Sequence, residues 1–182
     1  MEIGTLSIQG PLLLKPKRWE DERGTFFESY NESVFTSAGL PTHFVQDNQS
    51  VSHLNVVRGL HFQHPPYEQG KLVRVVSGAA LDVILDIRVG SPTYGQHLKV
   101  LLDAASGTML WIPPGFAHGF LSLEEGTVFL YKCTGAYHQP AEDGIRWNDP
   151  ELSIDWGISD PIVSSKDSAL SNLSGLQSTF RF

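Results

Sequence analysis

The segment RGLHFQHPPYEQGKLVRVVSG, residues 58–78, brings a histidine and a lysine close together along the chain. His61 is a candidate general base, because an imidazole can accept a proton near neutral pH. Lys71 offers an ammonium group that can stabilise an oxyanion as it develops. Tyr131, in the segment FLYKC, could deliver a proton from another direction. Each residue taken singly is equally consistent with a structural role, so the residue types alone suggest proton transfer without fixing a reaction.

Seven histidines also raise the question of a metal site. Metal-binding jelly rolls of the cupin type place an HxH pair on one strand, a Glu shortly after it and a further His after PxGxxH. The segment PPGFAH, which ends at His118, fits the second half of this pattern. The first half fails, because Phe62 and Gln63 follow His61, and His64 leads straight into two prolines. The usual ligand set cannot be assembled, so we expect no metal, and a metal-dependent cupin is the disfavoured alternative.

Two further segments suit a nucleotide ligand. DERGTFFESY, residues 21–30, and FVQDNQS, residues 44–50, place Arg23, Glu28, Gln46 and Asn48 among aromatic and apolar residues. A guanidinium group can bind phosphate, while amides and carboxylates can bind hydroxyl groups and base edges. Without further context the same segments read as a turn and a polar loop.

The elements that must position these residues are mostly β-strands. Apolar runs bounded by Gly and Pro recur at intervals of roughly ten residues, which is typical of an all-β sandwich or barrel. They are KLVRVVSG, AALDVILDIR, HLKVLLD, TMLWIPPG, HGFLSLE and TVFLYKC, with VGSPTYGQ and DAASGT as turns. The best helix candidate is NESVFTSAGL, with Asn31 as its N-cap and Gly39 at its end. We therefore predict an all-β jelly roll with a few short helices.

One strand shows a clear alternation. In LDVILDIR the apolar residues at 81, 83, 85 and 87 share one parity, while Asp82, Asp86 and Arg88 share the other. Since neighbouring side chains of a strand point to opposite faces, this pattern predicts a strand with one buried face.

Length and composition limit the class of protein. The 182 residues contain no repeat or linker, which predicts a single domain over residues 1–182, with the last dozen residues as a peripheral tail. A net charge of −7 without a Lys/Arg cluster argues against a nucleic-acid partner. The lone cysteine, Cys133, excludes an intramolecular disulfide and is expected to be buried. The N-terminal segment has neither a signal-peptide pattern nor a membrane span, so we expect a cytoplasmic protein without a membrane partner.

Read together, these segments resemble the dTDP-4-dehydrorhamnose 3,5-epimerase family of deoxysugar biosynthesis. The matching motifs, in the expected order from about residue 5 to residue 170, are DERGTFFESY, FVQDNQS, RGLHFQ, QGKLVRVVSG, DVILDIRVGSPTYGQ, LWIPPGFAHGF, FLYKCT, GIRWNDPELSIDW and SSKD. The resemblance implies a cupin-like jelly roll without metal or other cofactor. It also implies a homodimer that exchanges N-terminal strands and converts dTDP-4-dehydro-6-deoxy-D-glucose to dTDP-4-dehydro-L-rhamnose.

The resemblance also implies roles for individual residues. His61 would be the general base, oriented by Asp167 of SSKD, and Tyr131 the acid that reprotonates the opposite face. Lys71 would hold the C4 oxygen as it becomes an enolate. The implied substrate-binding residues are Arg23, Phe26, Glu28, Gln46, Asp47, Asn48, Arg58, His118, Tyr137, Glu142 and Lys166. Among these, Tyr137 would stack on thymine.

Related functions stay open at this point. Relatives of the family include enzymes that invert only carbon 3 or only carbon 5, and the departure at Ala136 and Tyr137 from the usual pair of aromatic residues leaves that choice unresolved. A ketoisomerase is disfavoured because the set of His61, Lys71, Tyr131 and Asp167 is complete. A catalytically silent nucleotide-sugar binding module is disfavoured for the same reason.

Overall fold

Two β-sheets form the body of the protein in a computed structural model that describes residues 1–182. The first sheet has the order β1 (Glu2–Thr5), β2 (Leu12–Lys15), β10 (Met109–Ile112), β7 (Lys71–Ser77), β12 (Thr127–Cys133) and β5 (Gln46–Ser52). The second has the order β13 (Glu142–Gly144), β6 (Val56–Gln63), β11 (Phe116–Ser122), β8 (Ala79–Asp86) and β9 (His97–Asp103), with β14 (Ile162–Val163) parallel to β6. A separate hairpin joins β3 (Arg18–Asp21) to β4 (Gly24–Phe27).

The chain crosses repeatedly between these sheets. Strands β5 to β8 alternate from one sheet to the other, β8 and β9 form a hairpin, and the alternation resumes from β9 to β13. This connectivity is that of an antiparallel jelly roll, which confirms the predicted fold class. The strands occupy the segments expected from the Gly and Pro punctuation, with the predicted turns between them.

Helices are few and short. Helix α1 (Glu32–Ser37) begins as predicted at Asn31, whose side chain accepts a hydrogen bond from the backbone N–H of Val34 at 3.2 Å. Helix α2 (Ser165–Ser168) is capped by Ser164 in the same way, and 3₁₀ turns cover Gln139–Ala141 and Leu173–Gly175. None of the helices has the length and apolarity needed to cross a membrane.

The prediction for β8 was wrong, because both faces of this strand are buried. Leu81, Val83 and Leu85 face outward from the sandwich, but residues 145–180 cover them, and they pack there against Trp156 and Phe180. The opposite parity faces the interior, where Asp82 and Asp86 are fully buried. Apolar and charged residues can alternate along a strand that is buried on both faces only if the buried charged residues have partners.

The end of the chain packs more closely than a peripheral tail would. Phe180 is only 8% exposed and belongs to the cluster that covers β8. The N–H of Val89 donates to Phe180 O at 3.0 Å, and the N–H of Phe182 donates back to Val89 O at 3.2 Å. Ser178 adds a hydrogen bond to Ile87 O. The C-terminal segment is therefore part of the packed structure, attached along the exit of β8.

Candidate active site

A cavity of about 460 Å³ lies between the two sheets, and a smaller one of about 240 Å³ adjoins it. His61, Lys71 and Tyr131 line both cavities. His61 belongs to β6 of the second sheet, whereas Lys71 and Tyr131 belong to β7 and β12 of the first. The three residues that the sequence suggested for proton chemistry are thus brought together from opposite walls of one pocket.

His61 is paired with a buried carboxylate. Its Nε2 lies 2.7 Å from Oδ1 of Asp167, which is held in place by the N–H of Gly59 on Oδ2 at 3.1 Å. Helix α2 supplies this carboxylate, because Ser164 caps the helix by accepting from the N–H of Asp167. Desolvation alone would raise the pKa of Asp167, but the hydrogen bonds from His61, Gly59 and Ser164 outweigh it and lower that pKa. Asp167 therefore stays ionised and fixes the ring of His61, and this contact leaves Nδ1 of the ring unoccupied.

Lys71 lies at the start of β7, where its side chain is shielded from solvent. Protein encloses the side chain, although part of its surface is reached through the pocket, and this desolvation lowers the pKa of Lys71. Nζ makes only one long contact, of 3.5 Å, with the backbone oxygen of His61. An ammonium group with so few partners is available to an anionic oxygen in the cavity, and its interaction with that oxygen is strengthened by the low local dielectric.

Tyr131 stands on the wall opposite His61. Burial raises the pKa of Tyr131, so its hydroxyl keeps its proton over the ordinary pH range. The ring packs beside Phe129, with 6.4 Å between ring centroids. A protonated phenol on the face opposite an imidazole can deliver a proton to the side from which the base does not act.

A second histidine–aspartate pair lies in the same sheet as His61. His118 on β11 is the cross-strand neighbour of His61 on β6. Its Nε2 lies 2.8 Å from Oδ2 of Asp82. Both members of the pair are buried, and Oδ1 of Asp82 has no hydrogen-bond partner. Asp82 thereby fixes the ring of His118, which lines the main cavity.

The smaller cavity is bordered by a chain of polar contacts. The hydroxyl of Tyr137 donates to Oε2 of Glu142 at 2.6 Å, and Nζ of Lys166 lies 2.6 Å from the same oxygen. Desolvation opposes ionisation of Glu142, but these contacts lower the pKa of Glu142, and the carboxylate raises the pKa of Lys166. Gln46 and Asn48 line the same cavity from β5, with Nε2 of Gln46 donating to Asn48 at 2.9 Å. Amide, carboxylate and aromatic groups therefore meet at this end of the site.

Four of the residues named from the sequence lie outside both cavities. Asp47 points to the outer face of β5 and pairs with Lys132 at 2.9 Å. Arg23, Phe26 and Glu28 lie on or just after the β3–β4 hairpin and line neither cavity. Phe26 is 70% exposed. Arg58, in contrast, lines the main cavity, with its Nε donating to Ser52 at 3.1 Å.

Several lining residues were not identified from the sequence. Ser50 lines the main cavity with a buried hydroxyl that has no partner, and alternation along β5 from Gln46 and Asn48 would have indicated it. Asp82 was assigned to a solvent face, although its partner His118 was identified. Ser164 of the main cavity and Gln63 and Gln69 of the smaller cavity were missed as well. The other unidentified lining residues are apolar or glycine and carry no chemical signal: Val56, Val57, Phe62, Gly119, Phe120, Phe129, Ile162 and Val163.

The histidines do not gather into a metal centre. Nowhere in residues 1–182 do three or more His, Cys, Asp or Glu side chains converge in a way that could hold a metal ion. His61 and His118 are adjacent across β6 and β11, but each is already paired with its own carboxylate.

Fold and site together define a cupin-like jelly-roll protein whose pocket contains an imidazole, a phenol and cationic side chains. Arg58, Lys71 and Lys166 place positive charge in the main cavity, although the chain as a whole has a net charge of −7. A family model described as dTDP-4-dehydrorhamnose 3,5-epimerase matches residues 5–175.

Individual relatives agree with this match. The dTDP-4-dehydrorhamnose 3,5-epimerase of Escherichia coli is 47% identical over 178 residues, covering 97% of this chain and 96% of that one. The crystal structure of a dTDP-6-deoxy-D-glucose-3,5-epimerase from Legionella pneumophila, in complex with dTDP-4-keto-L-rhamnose, superposes with a TM-score of 0.94 at 41% identity, covering 100% of this chain and 98% of that one. A dTDP-4-dehydrorhamnose 3-epimerase of Streptomyces niveus is 39% identical over 168 residues, covering 92% and 81%. The chain belongs to the dTDP-4-dehydrorhamnose 3,5-epimerase family.

Proposed function

We propose that the protein is an isomerase that converts dTDP-4-dehydro-6-deoxy-D-glucose to dTDP-4-dehydro-L-rhamnose by inverting carbons 3 and 5, a step of dTDP-L-rhamnose biosynthesis. The observation that carries this proposal is the placement of a carboxylate-paired imidazole, His61, and a protonated phenol, Tyr131, on opposite walls of one cavity. Inversion at carbon needs a base on one face and an acid on the other, and this geometry supplies both.

The chemistry explains why Lys71 belongs to the same cavity. Carbons 3 and 5 both neighbour the C4 ketone, so the same carbonyl acidifies the hydrogen on each. Removing either proton places negative charge on the C4 oxygen, and the ammonium group of Lys71 stabilises that enolate more than the neutral ketone. This difference lowers the barrier. Epimerisation leaves the oxidation state unchanged, so the reaction requires no redox cofactor.

The base acts through the orientation that Asp167 imposes. With Nε2 of His61 donating to the carboxylate at 2.7 Å, Nδ1 carries the lone pair that takes the proton from carbon. The carboxylate also stabilises the imidazolium that forms. Tyr131 then returns a proton to the other face of the enolate.

The nucleotide occupies the polar end of the site in this proposal. Arg58 and Lys166 bind the diphosphate, and His118 and Glu142 complete the sugar-phosphate contacts. Gln46 and Asn48 bind thymidine, on whose base Tyr137 stacks; this ring is half exposed, so one face is open to a ligand. Asp47 contributes through its backbone, because Lys132 holds its side chain outside the cavity.

We further propose a homodimer in which the β3–β4 hairpin completes the site of the partner. Arg23, Phe26 and Glu28 suit a nucleotide but lie away from the cavities of their own chain. Trp19 and Phe26 present an aromatic pair on this hairpin, 48% and 70% exposed. Aromatic side chains exposed to this degree are typical of interaction sites.

We also propose a cytoplasmic location. The single cysteine, Cys133, is buried and forms no disulfide, which is consistent with a reducing compartment.

Deuterium incorporation tests the function directly. The purified protein is incubated in D₂O with dTDP-4-dehydro-6-deoxy-D-glucose, and NMR locates the label. We expect deuterium at both C3 and C5 with the wild type. The His61→Asn variant should lose exchange by about 10²- to 10⁴-fold, the usual contribution of a general base.

The same experiment decides between two epimerases. The similarity to a 3-epimerase from Streptomyces niveus makes a single inversion the second candidate. Label confined to one carbon would establish that candidate. Absence of label at both carbons, with dTDP binding intact, would contradict the epimerase proposal and leave a nucleotide-sugar binding protein.

A further inference from the structure

The loop that carries Tyr137 is held by glutamine side chains. It follows β12 and runs over residues 134–138, of which Tyr137 lines the smaller cavity. Gln46, Gln63 and Gln69 all bond to its backbone, and we call these three side chains the glutamine cradle. They come from β5, from the end of β6 and from the connection between β6 and β7.

The contacts of the glutamine cradle fall on both sides of Tyr137. Nε2 of Gln63 donates to Ala136 O at 3.2 Å, and Oε1 of Gln46 accepts from the N–H of Tyr137 at 2.8 Å. These two contacts hold the peptide group before Tyr137. Oε1 of Gln63 accepts from the N–H of His138 at 2.7 Å, which holds the peptide group after it. Gln69 secures the preceding turn by donating to Gly135 O at 2.8 Å.

Gln63 is the central member of the cradle. Its side chain is buried, and Nε2 also donates to Tyr67 O at 2.6 Å, so one amide ties two loops together. The same two loops are joined by the stacked rings of Tyr67 and His138, which lie 3.6 Å apart and within 2° of parallel. The partners of Gln63 are backbone groups on either side of Tyr137 and the backbone oxygen of Tyr67, and none of them is a proposed reacting group.

We propose that Gln63, assisted by Gln69, is a positioning residue that fixes Tyr137 for stacking on the nucleotide base. The inference rests on the proposed function, in which Tyr137 contacts thymine. Backbone bonds hold the residue from both sides and Glu142 holds its hydroxyl, so only the face of the ring is free. A ligand that binds a ring already in place does not have to order the loop. The free-energy cost of that ordering is avoided, so the affinity is higher.

This role predicts a separation between binding and chemistry. Tyr137 acts on the nucleotide, whereas His61, Lys71 and Tyr131 act on the sugar ring. Loosening the loop should weaken substrate and transition state equally, which raises KM and leaves kcat unchanged.

Three matched substitutions test the inference. Gln63→Met and Gln69→Met keep the length of the side chain and remove its hydrogen bonds, while Gln177→Met makes the same change at an exposed residue of the C-terminal segment. Calorimetry gives the Kd for dTDP, and steady-state kinetics give KM and kcat. We expect Kd and KM to rise about tenfold for Gln63→Met and about threefold for Gln69→Met, with kcat within about twofold throughout. Gln177→Met should match the wild type.

A double variant separates positioning from general destabilisation. If Gln63 acts through Tyr137, adding Gln63→Met to Tyr137→Ala should weaken dTDP binding no further than Tyr137→Ala alone. Additive losses, an unchanged Kd in Gln63→Met, or a fall in kcat with Kd unchanged would each overturn the inference. If Gln63→Met does not fold, the Kd of Gln69→Met decides. A wild type that does not bind dTDP would instead refute the proposed function itself.

Discussion

At the scale of single residues, Lys71 should set the alkaline limit of the reaction. Desolvation lowers the pKa of Lys71, whereas the same effect raises the pKa of Tyr131. The proposed mechanism needs the protonated form of Lys71 at the C4 oxygen. Turnover should therefore fall as pH rises through this lowered pKa, at a pH below the value of about 10.4 for an exposed lysine. Tyr131 keeps its proton over that range and cannot cause the fall.

The profile of kcat/KM against pH measures this limit. In Lys71→Arg the guanidinium stays protonated beyond about pH 12, so the slower variant should show no fall over the range where the wild type declines. An alkaline limb at the same pH in both proteins would assign it to another group.

The residue scale also shows what motifs can and cannot locate. RGLHFQ and FLYKC identified His61 and Tyr131, and both lie in the cavity. Asp82 was missed because a carboxylate in an alternating strand is ordinarily solvated. Only the register that sets β11 against β8 brings His118 to Asp82, and a single sequence does not reveal that register.

At the scale of elements, two glycines determine how closely β6 and β11 approach. A Cβ on Gly119 would lie 2.5 Å from Arg58 O and 3.1 Å from the Cα of Gly59. Gly59 itself has φ +115°, in the region that favours glycine. His61 and His118 are cross-strand neighbours next to these glycines. The close approach of the two strands therefore helps to place both histidines in the cavity.

Gly119→Ala should therefore damage stability and activity together. The added methyl group meets backbone on the neighbouring strand, and we expect a loss of about 1–3 kcal/mol in the free energy of unfolding. Gly4→Ala is the control, because nothing lies within 4 Å of a Cβ at that position of β1. Urea unfolding and turnover measure both effects. Unchanged stability in Gly119→Ala would show that the strands can separate without cost.

Most of the elements could be predicted, and the failures have a common cause. Helix α1 was found from Asn31 and Gly39, and the strands from their turns, because these signals are local. The burial of β8 on both faces depends on Trp156 and Phe180, which lie far along the chain. The glutamine cradle was missed for a similar reason. Its partners are backbone groups, which every residue has, so no residue type marks them in the sequence.

At the scale of the whole molecule, the proposed exchange of hairpins can be tested by mixing inactive subunits. A chain with Arg23→Ala and Phe26→Ala lacks the hairpin contacts, and a chain with His61→Asn lacks the base. If sites are shared, a mixed dimer has one intact site. Random assembly of equal amounts should restore about a quarter of the wild-type activity.

Turnover by the two variants co-expressed, compared with each alone, is the measurement. The control mixes His61→Asn with Lys71→Met. Each site takes both His61 and Lys71 from one chain, so every site of a mixed dimer lacks one of them and none should be intact. Equal activities in both mixtures would contradict the shared site.

The candidate active site joins parts of the chain that are remote from one another. The two members of the His61–Asp167 pair are separated by 106 positions, and the strands between them cross from sheet to sheet several times. Contacts of this kind form late, because the intervening chain must first be ordered. A partly folded molecule in which His61 and Asp167 have not yet met should therefore be inactive. Activity therefore depends on the complete arrangement of strands. During refolding, activity should return later than strand structure.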